Sequence, residues 1–214
     1  MTTDMATAES SGADYPVRLE VVRPDMQSRI TNFPLGIGTF IRGILAIPHL
    51  IIIYFLQIVA NIVYFIACFG ILFTGRYPQG LYNFYVGYMR WNANITGYLV
   101  SAYDKYPPFS LDSQPEFPLT LSVDYPQELN RILNFPIFIG YIIKAILLIP
   151  HYIIIAFLFL AAIVVLLIAQ FAILFTGSFP EGMHRFMIGV GRWSTRVTAY
   201  NVALTDKYPP FSLN

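Results

Sequence analysis

Charge is scarce in this chain, and cysteine is scarcer. Only 12% of the 214 residues are charged and 56% are hydrophobic, against norms of about 25% and about 45 to 50% in soluble domains. No charged side chain stands between Pro48 and Phe73, or between Pro150 and Phe175. All twelve carboxylates lie outside these stretches, which excludes from them a paired general acid and base and an Asp or Glu proton relay. Cys68 is the only cysteine, so an intramolecular disulfide is excluded, and its place within an apolar run reads as packing. A net charge of +1 gives no bulk attraction for nucleic acid. His49, His151 and His184 have no ligand-like spacing to Cys, Asp or Glu. A phosphate loop, a dinucleotide glycine motif and a nucleophile elbow are all missing. The expectation is a protein that is not an enzyme, with no catalytic residue, no metal and no cofactor.

What the chain has in abundance is apolar length. One run covers Ile41 to Phe73 and another Ile143 to Phe175. The uncharged part of each, about 26 residues at about 1.5 Å rise, makes a helix of about 39 Å, longer than the roughly 30 Å hydrocarbon core of a bilayer. The two runs belong to a tandem duplication. Residues 15–111 overlie 117–213 without a gap at an offset of 102, with about half the positions identical. The expected organisation is a disordered polar tail over 1–14 that is not a signal peptide, a membrane repeat over 15–111, a linker over 112–116 and a second membrane repeat over 117–214.

Each repeat opens with alternation, Val17, Leu19 and Val21 or Leu119, Leu121 and Val123, which predicts a short strand at the membrane surface. Each closes with Asp-Lys-Tyr-Pro-Pro-Phe-Ser-Leu, at 104–111 and 206–213, where paired prolines favour extended chain. The two ends of a repeat either pair into a small sheet or leave the closing segment as an unpaired clamp. Asn32 and Asn134, each followed by Phe-Pro, are read as helix caps. A short helix bearing Arg42 or Lys144 follows, then Pro48 or Pro150 with an expected kink. Phe-Thr-Gly at 73–75 and 175–177 ends the long run.

A second helix is predicted over 79–102 and 181–204, and it carries a polar stripe: Arg185, Arg192 and Arg196 in the second copy, Asn83, Arg90 and Asn94 in the first. Arginine costs about 2.5 to 3.5 kcal/mol at mid-membrane while each apolar residue returns only about 0.3 to 0.6. The second helix therefore either lies in the interface or crosses with its stripe turned inward. Crossing gives both hairpins one orientation, with Arg18, Arg23, Arg29, Arg42, Lys105, Arg131, Lys144 and Lys207 on one side and both termini in the cytoplasm. The expected fold class is an all-α integral membrane protein, two tandem helical hairpins with about four membrane helices and short juxtamembrane extended or β segments.

Candidate lipid, anion or helix-interface residues are Arg42, Lys144, Arg90, Trp91, Arg192, Trp193 and Arg196. The repeated Arg-Trp pair suits a phosphate headgroup, but the structural reading is favoured, in which the arginine caps carbonyls or pairs with Asp104 or Asp206 and the indole fills a helix interface. His49 and His151, at the start of the apolar runs, are read as interfacial anchors.

The motifs Tyr15-Pro-Val-Arg-Leu-Glu-Val, Ala46-Ile-Pro-His, Ile71-Leu-Phe-Thr-Gly-Arg-Tyr-Pro, Arg90-Trp and Asp104-Lys-Tyr-Pro-Pro-Phe-Ser-Leu, with their second copies, resemble the bacterial membrane family known as domain of unknown function 4389. The resemblance implies a bacterial, membrane-embedded protein, often in tandem copies, with no assigned activity, and supplies no catalytic residues; the expected place is the bacterial inner membrane, as a multi-pass protein. Three functions follow as expectations. The leading one is a non-enzymatic accessory or scaffold subunit that packs its helices with itself or a larger membrane complex. The alternatives are a protein that binds or shapes lipid, anionic lipid included, through its Arg-Trp helices, and an oligomeric anion pore or transporter.

Overall fold

The computed structural model describes residues 15–136 and 139–214, so the polar tail expected over 1–14 lies outside the described residues. The elements are β1 (Val17–Val21), α1 (Ile37–Thr74), α2 (Gln79–Leu99), β2 (Leu119–Val123), α3 (Ile139–Thr176) and α4 (Glu181–Asn201). At about 1.5 Å per residue, the 38 residues of α1 or α3 extend about 57 Å. In α1 the buried residues are Gly38, Arg42, Ala46, His49, Ala60, Val63, Ala67, Cys68 and Ile71, nearly all on one stripe at helical spacing, and α1 packs on α2. Beyond that stripe, Ile, Leu and Phe side chains stand exposed around α1 and α3 alike.

Two local expectations are corrected. Asn32 does not cap α1. The cap position is Gly36, at φ 79°, and Asn32 is wholly buried as a hydrogen-bonding partner of Arg42 and Asp104. A buried cation with donors to satisfy competes successfully with the helix end. Nor does a short helix stop at proline, since α1 and α3 run unbroken through Pro48 and Pro150. The phenols of Tyr106 and Tyr208 donate to the carbonyls of Leu45 and Leu147 at 2.8 Å, next to the Ile44 and Ile146 carbonyls that proline leaves without a helical donor. At the other end the long helices stop at Gly75 and Gly177, whose φ of 72° and 74° suits glycine, and each donates its N–H back to Ile71 or Ile173. The second helices end at Leu99 and Asn201, three residues short of expectation.

β1 does not pair with its own repeat's closing segment. It pairs antiparallel with β2, with Leu19 opposite Leu121. At the repeat offset of 102 these are equivalent residues, so a pseudo-twofold axis passes between the strands. Reciprocal bonds follow: the Gln27 N–H donates to Gly177 O at 2.7 Å and the Leu129 N–H to Gly75 O at 2.8 Å. Each strand lies against the second helix of the other repeat. The closing segments remain unpaired clamps along their own hairpins. Gly87 and Gly189 admit the backbone of Leu111 and Leu213 so closely that an added Cβ would sit 2.8 Å from the carbonyl oxygens.

The expectation of a common orientation is also corrected. Gln170, near the end of α3, donates to the Thr39 hydroxyl at the start of α1 at 2.8 Å, while Tyr64 and Cys68 toward the end of α1 lie near Tyr141 and Lys144 at the start of α3. The long helices are therefore antiparallel. A twofold axis that relates antiparallel strands and antiparallel long helices is perpendicular to both pairs. Three layers result. The sheet turns Val17, Leu19, Leu119 and Leu121 inward, and Arg18, Glu20, Thr120 and Ser122 outward. Outside it, Arg18 pairs with Asp124 at 2.5 Å. The second helices form the middle layer, and the long helices present the apolar face.

Candidate functional site

Three sequence-distant motifs meet at the end of each hairpin. Arg42, wholly buried, donates from Nε to Thr31 O at 2.9 Å, from Nη1 to Tyr98 O and Tyr103 O at 2.8 Å each, and from Nη2 to Asn32 Oδ1 at 2.9 Å and to Asp104. Tyr98 O belongs to the last turn of α2, where a cation suits the carbonyl end of the helix dipole. Asp104 also accepts the Ser28 N–H at 2.5 Å and the Asn32 amide at 3.0 Å. In the second repeat Lys144 donates to Asn134 Oδ1 at 2.5 Å and Tyr200 O at 2.8 Å, with Asp206 at 3.9 Å. The resulting latch ties the entry to the long helix, the exit of the second helix and the closing motif.

Two turns further along, Trp91 Nε1–H donates to His49 Nδ1 at 3.0 Å, and Phe109 stacks on the imidazole with centroids 3.7 Å apart. Trp193, His151 and Phe211 repeat this at 2.8 Å and 3.9 Å. An Nδ1 that accepts places the ring proton on Nε2. Both histidines are fully buried, so the interfacial-anchor expectation is corrected: the imidazole face is more useful covered by phenylalanine than presented at a boundary.

The remaining arginines face backbone. Arg90 donates to Leu111 O at 2.7 Å and to Leu121 O at 3.3 Å, Arg192 to Leu19 O at 2.8 Å, and Arg196, beside the Tyr15 ring, to Ser212 O at 3.5 Å. They join second helices to closing segments and to the exchanged strands. Arg185 pairs with Glu181 in the open. Tyr15 donates to Lys207 O at 2.8 Å, and burial pushes its phenol pKa up.

Between the hairpins lies a cavity of about 820 Å³, floored by Leu19, Val21 and Leu119 and walled by all four helices. Its floor is buried or half-buried, and its exposed lining residues are Gln57 and Asn61 of α1, Tyr141, Phe159 and Ile163 of α3, and Thr96 and Thr198 of the second helices. The exposed side chains of α1 and α3 place one opening between the two long helices. Among the described residues its lining contains no charged side chain.

The family model for the domain of unknown function DUF4389 matches residues 37–110 and again 140–212. The chain belongs to the DUF4389 family. No curated protein and no solved structure matches it. The matched residues cover the hairpin, its closing motif, the cation and carboxylate of the latch and the His-Trp-Phe stack, whereas Asn32 and Asn134 of the latch and the exchanged strands lie outside them. Sequence reasoning named the cations of the latch but missed Asp104, Asp206, Asn32 and Asn134 as their partners. It also missed the cavity, although Gln57, Asn61 and Tyr64 are spaced i, i+4, i+7 within an otherwise apolar run, which places them on one face.

Proposed function

We propose that this DUF4389 chain is an integral protein of the bacterial cytoplasmic membrane, working there as a non-enzymatic accessory component. One observation carries it. The most apolar windows of α1 and α3 are only 17% buried, although each helix is 38 residues long. A core helix of a soluble protein hides such a surface, and a contiguous apolar flank this large needs lipid or another protein against it. In this reading α1 and α3 lie along the plane of one leaflet with the polar sheet in water, because the charged outer side of the sheet sits at the mid-length of the helices. Accessory action follows from the broad unpartnered apolar girdle, which suits a larger membrane complex or a second copy as well as acyl chains.

Alkaline carbonate extraction of native membranes, followed by native mass spectrometry of the gently solubilised protein, tests both parts. Retention in the pellet together with a complex of fixed stoichiometry is the expected result. Release by carbonate removes the membrane assignment, and a monomer without partners removes the accessory one. Arg90 and Arg192 are engaged with carbonyl oxygens, Arg196 is buried with Ser212 O at 3.5 Å and its Nε without a partner, and the cavity wall is uncharged. Neither a headgroup site on these arginines nor an anion path through the cavity is favoured.

A further inference from the structure

The two copies diverge at several positions around the cavity between them, with most of the amide and phenol side chains on the first repeat and Tyr141, Thr195 and Asn201 as polar residues of the second. On the first repeat's side a chain of hydrogen bonds runs along the wall. The Thr96 hydroxyl donates to Asn92 Oδ1 at 3.3 Å, the Asn92 amide to the Tyr88 hydroxyl at 3.3 Å, Tyr88 to Gln57 Oε1, and the Gln57 amide to Asn61 Oδ1 at 3.1 Å. At the positions equivalent to Gln57, Asn61, Tyr64, Tyr85 and Tyr88 the second repeat has Phe159, Ile163, Leu166, Met187 and Val190. Its hydroxyls at Ser194, Thr195 and Thr198 are turned onto the carbonyls of its own helix, at 2.8 to 2.9 Å. About half the positions of the two repeats are identical, and the differences concentrate on the two walls of this cavity. The amide and phenol wall of the first repeat faces the more apolar wall of the second, on which Asn201 leaves a buried Oδ1 without a partner.

We propose that the cavity binds a single uncharged amphiphile taken from the bilayer. Its hydroxyl or carbonyl head joins the Gln57, Tyr88 and Asn92 wall, and its hydrocarbon lies on Phe159, Leu166 and Met187. Four properties select this class. The volume falls within the roughly 300 to 1,000 Å³ of ligand pockets. The wall offers amide and phenol groups, which both donate and accept, and no charge, so a phosphate or carboxylate would be desolvated without a counterion. One opening lies between the two most lipid-exposed helices, facing acyl chains. The asymmetry of the walls gives the ligand one orientation despite the pseudo-twofold frame. The inference rests on the membrane assignment above.

Photolabelling of the full chain, purified in mild detergent, tests it with a photoactivatable diacylglycerol, a photoactivatable long-chain isoprenoid alcohol and, as the anionic arm, a photoactivatable phosphatidylglycerol. A neutral probe is expected to label peptides of the cavity wall, and the more efficient of the two tells acylglycerol from isoprenoid. Ala93→Phe, which fills the cavity, is expected to lower that labelling about tenfold, a loss of the size that separates real from residual binding. The pair Gln57→Phe and Asn61→Ile, which installs the second repeat's residues on exposed helix positions, is expected to lower it as well. Phe55→Ala, on the outer apolar face, is expected to leave it unchanged. Equal cavity labelling by phosphatidylglycerol overturns the proposal, as does neutral labelling confined to the outer faces and indifferent to Ala93→Phe. Carbonate retention of the same variants is measured separately, so a chain that proves soluble fails the membrane assignment and not the cavity test.

Discussion

Arg42 shows how much of this molecule hangs on single buried side chains. Its guanidinium serves backbone oxygens from three segments and one carboxylate, and none of it reaches solvent. Removing one member of a buried, hydrogen-bonded charge pair costs about 3 to 5 kcal/mol, mostly because its partners are stranded. Arg42→Met is therefore expected to lower the thermal midpoint of the solubilised protein steeply. Arg42→Lys should lose less, because the second repeat already runs the same latch with an amine at Lys144. Equal loss in both variants would mean that volume, not the ionic contact, matters there. Trp91→Phe makes a finer test of the neighbouring stack. It keeps an aromatic ring but leaves His49 Nδ1 buried without its donor, a loss of about 1 to 3 kcal/mol. A midpoint equal to that of the parent chain would show the indole to be filler.

At the scale of elements, the exchange of strands makes each repeat incomplete without the other. Leu19 and Leu121 carry the carbonyls that accept from Arg192 and Arg90 of the opposite repeats, so the linker is not what holds the halves together. A protease site placed at exposed Ser113 and Gln114 is expected to yield two fragments that co-elute in detergent. Fragments that separate would show the exchanged strands to be too weak to join the repeats. The helices themselves were legible in the sequence, because the apolar runs, the Phe-Thr-Gly stops and the 102-residue repeat are local signals. The partner of β1 was not legible. Val17, Leu19 and Val21 state that one face is buried, but which strand completes the sheet depends on how the hairpins dock. Asn32 misled for a similar reason, since an asparagine before Phe-Pro fits a cap equally well until a buried Arg42 claims its oxygen. The cavity was half legible. Its polar residues stood out from the apolar run, but their meaning came only when Phe159 and Ile163 were seen across from them.

For the whole molecule the decisive geometry is the pseudo-twofold axis perpendicular to α1 and α3. If the long helices crossed the bilayer, the two repeats would be inverted. Arg18, Glu20 and Asp124 on the outer side of the sheet would then sit near mid-depth, where insertion of a charged residue costs about 2.5 to 3.5 kcal/mol. The helices, about 57 Å long, would also overshoot the roughly 30 Å core by about 27 Å. Laid along one leaflet, the same molecule keeps its sheet in water and all of its apolar girdle in lipid, with the axis along the membrane normal. The two placements differ in where Arg29 and Arg131 lie. These exposed equivalents stand at opposite ends of the slab, beside Gly177 and Gly75. In a Cys68→Ala background, Arg29→Cys and Arg131→Cys are expected to react with a membrane-impermeant maleimide from one and the same side of sealed vesicles. Labelling of one from outside and the other only after the vesicles are opened would instead establish crossing helices and inverted repeats, and the sheet would then need a partner to cover its charges.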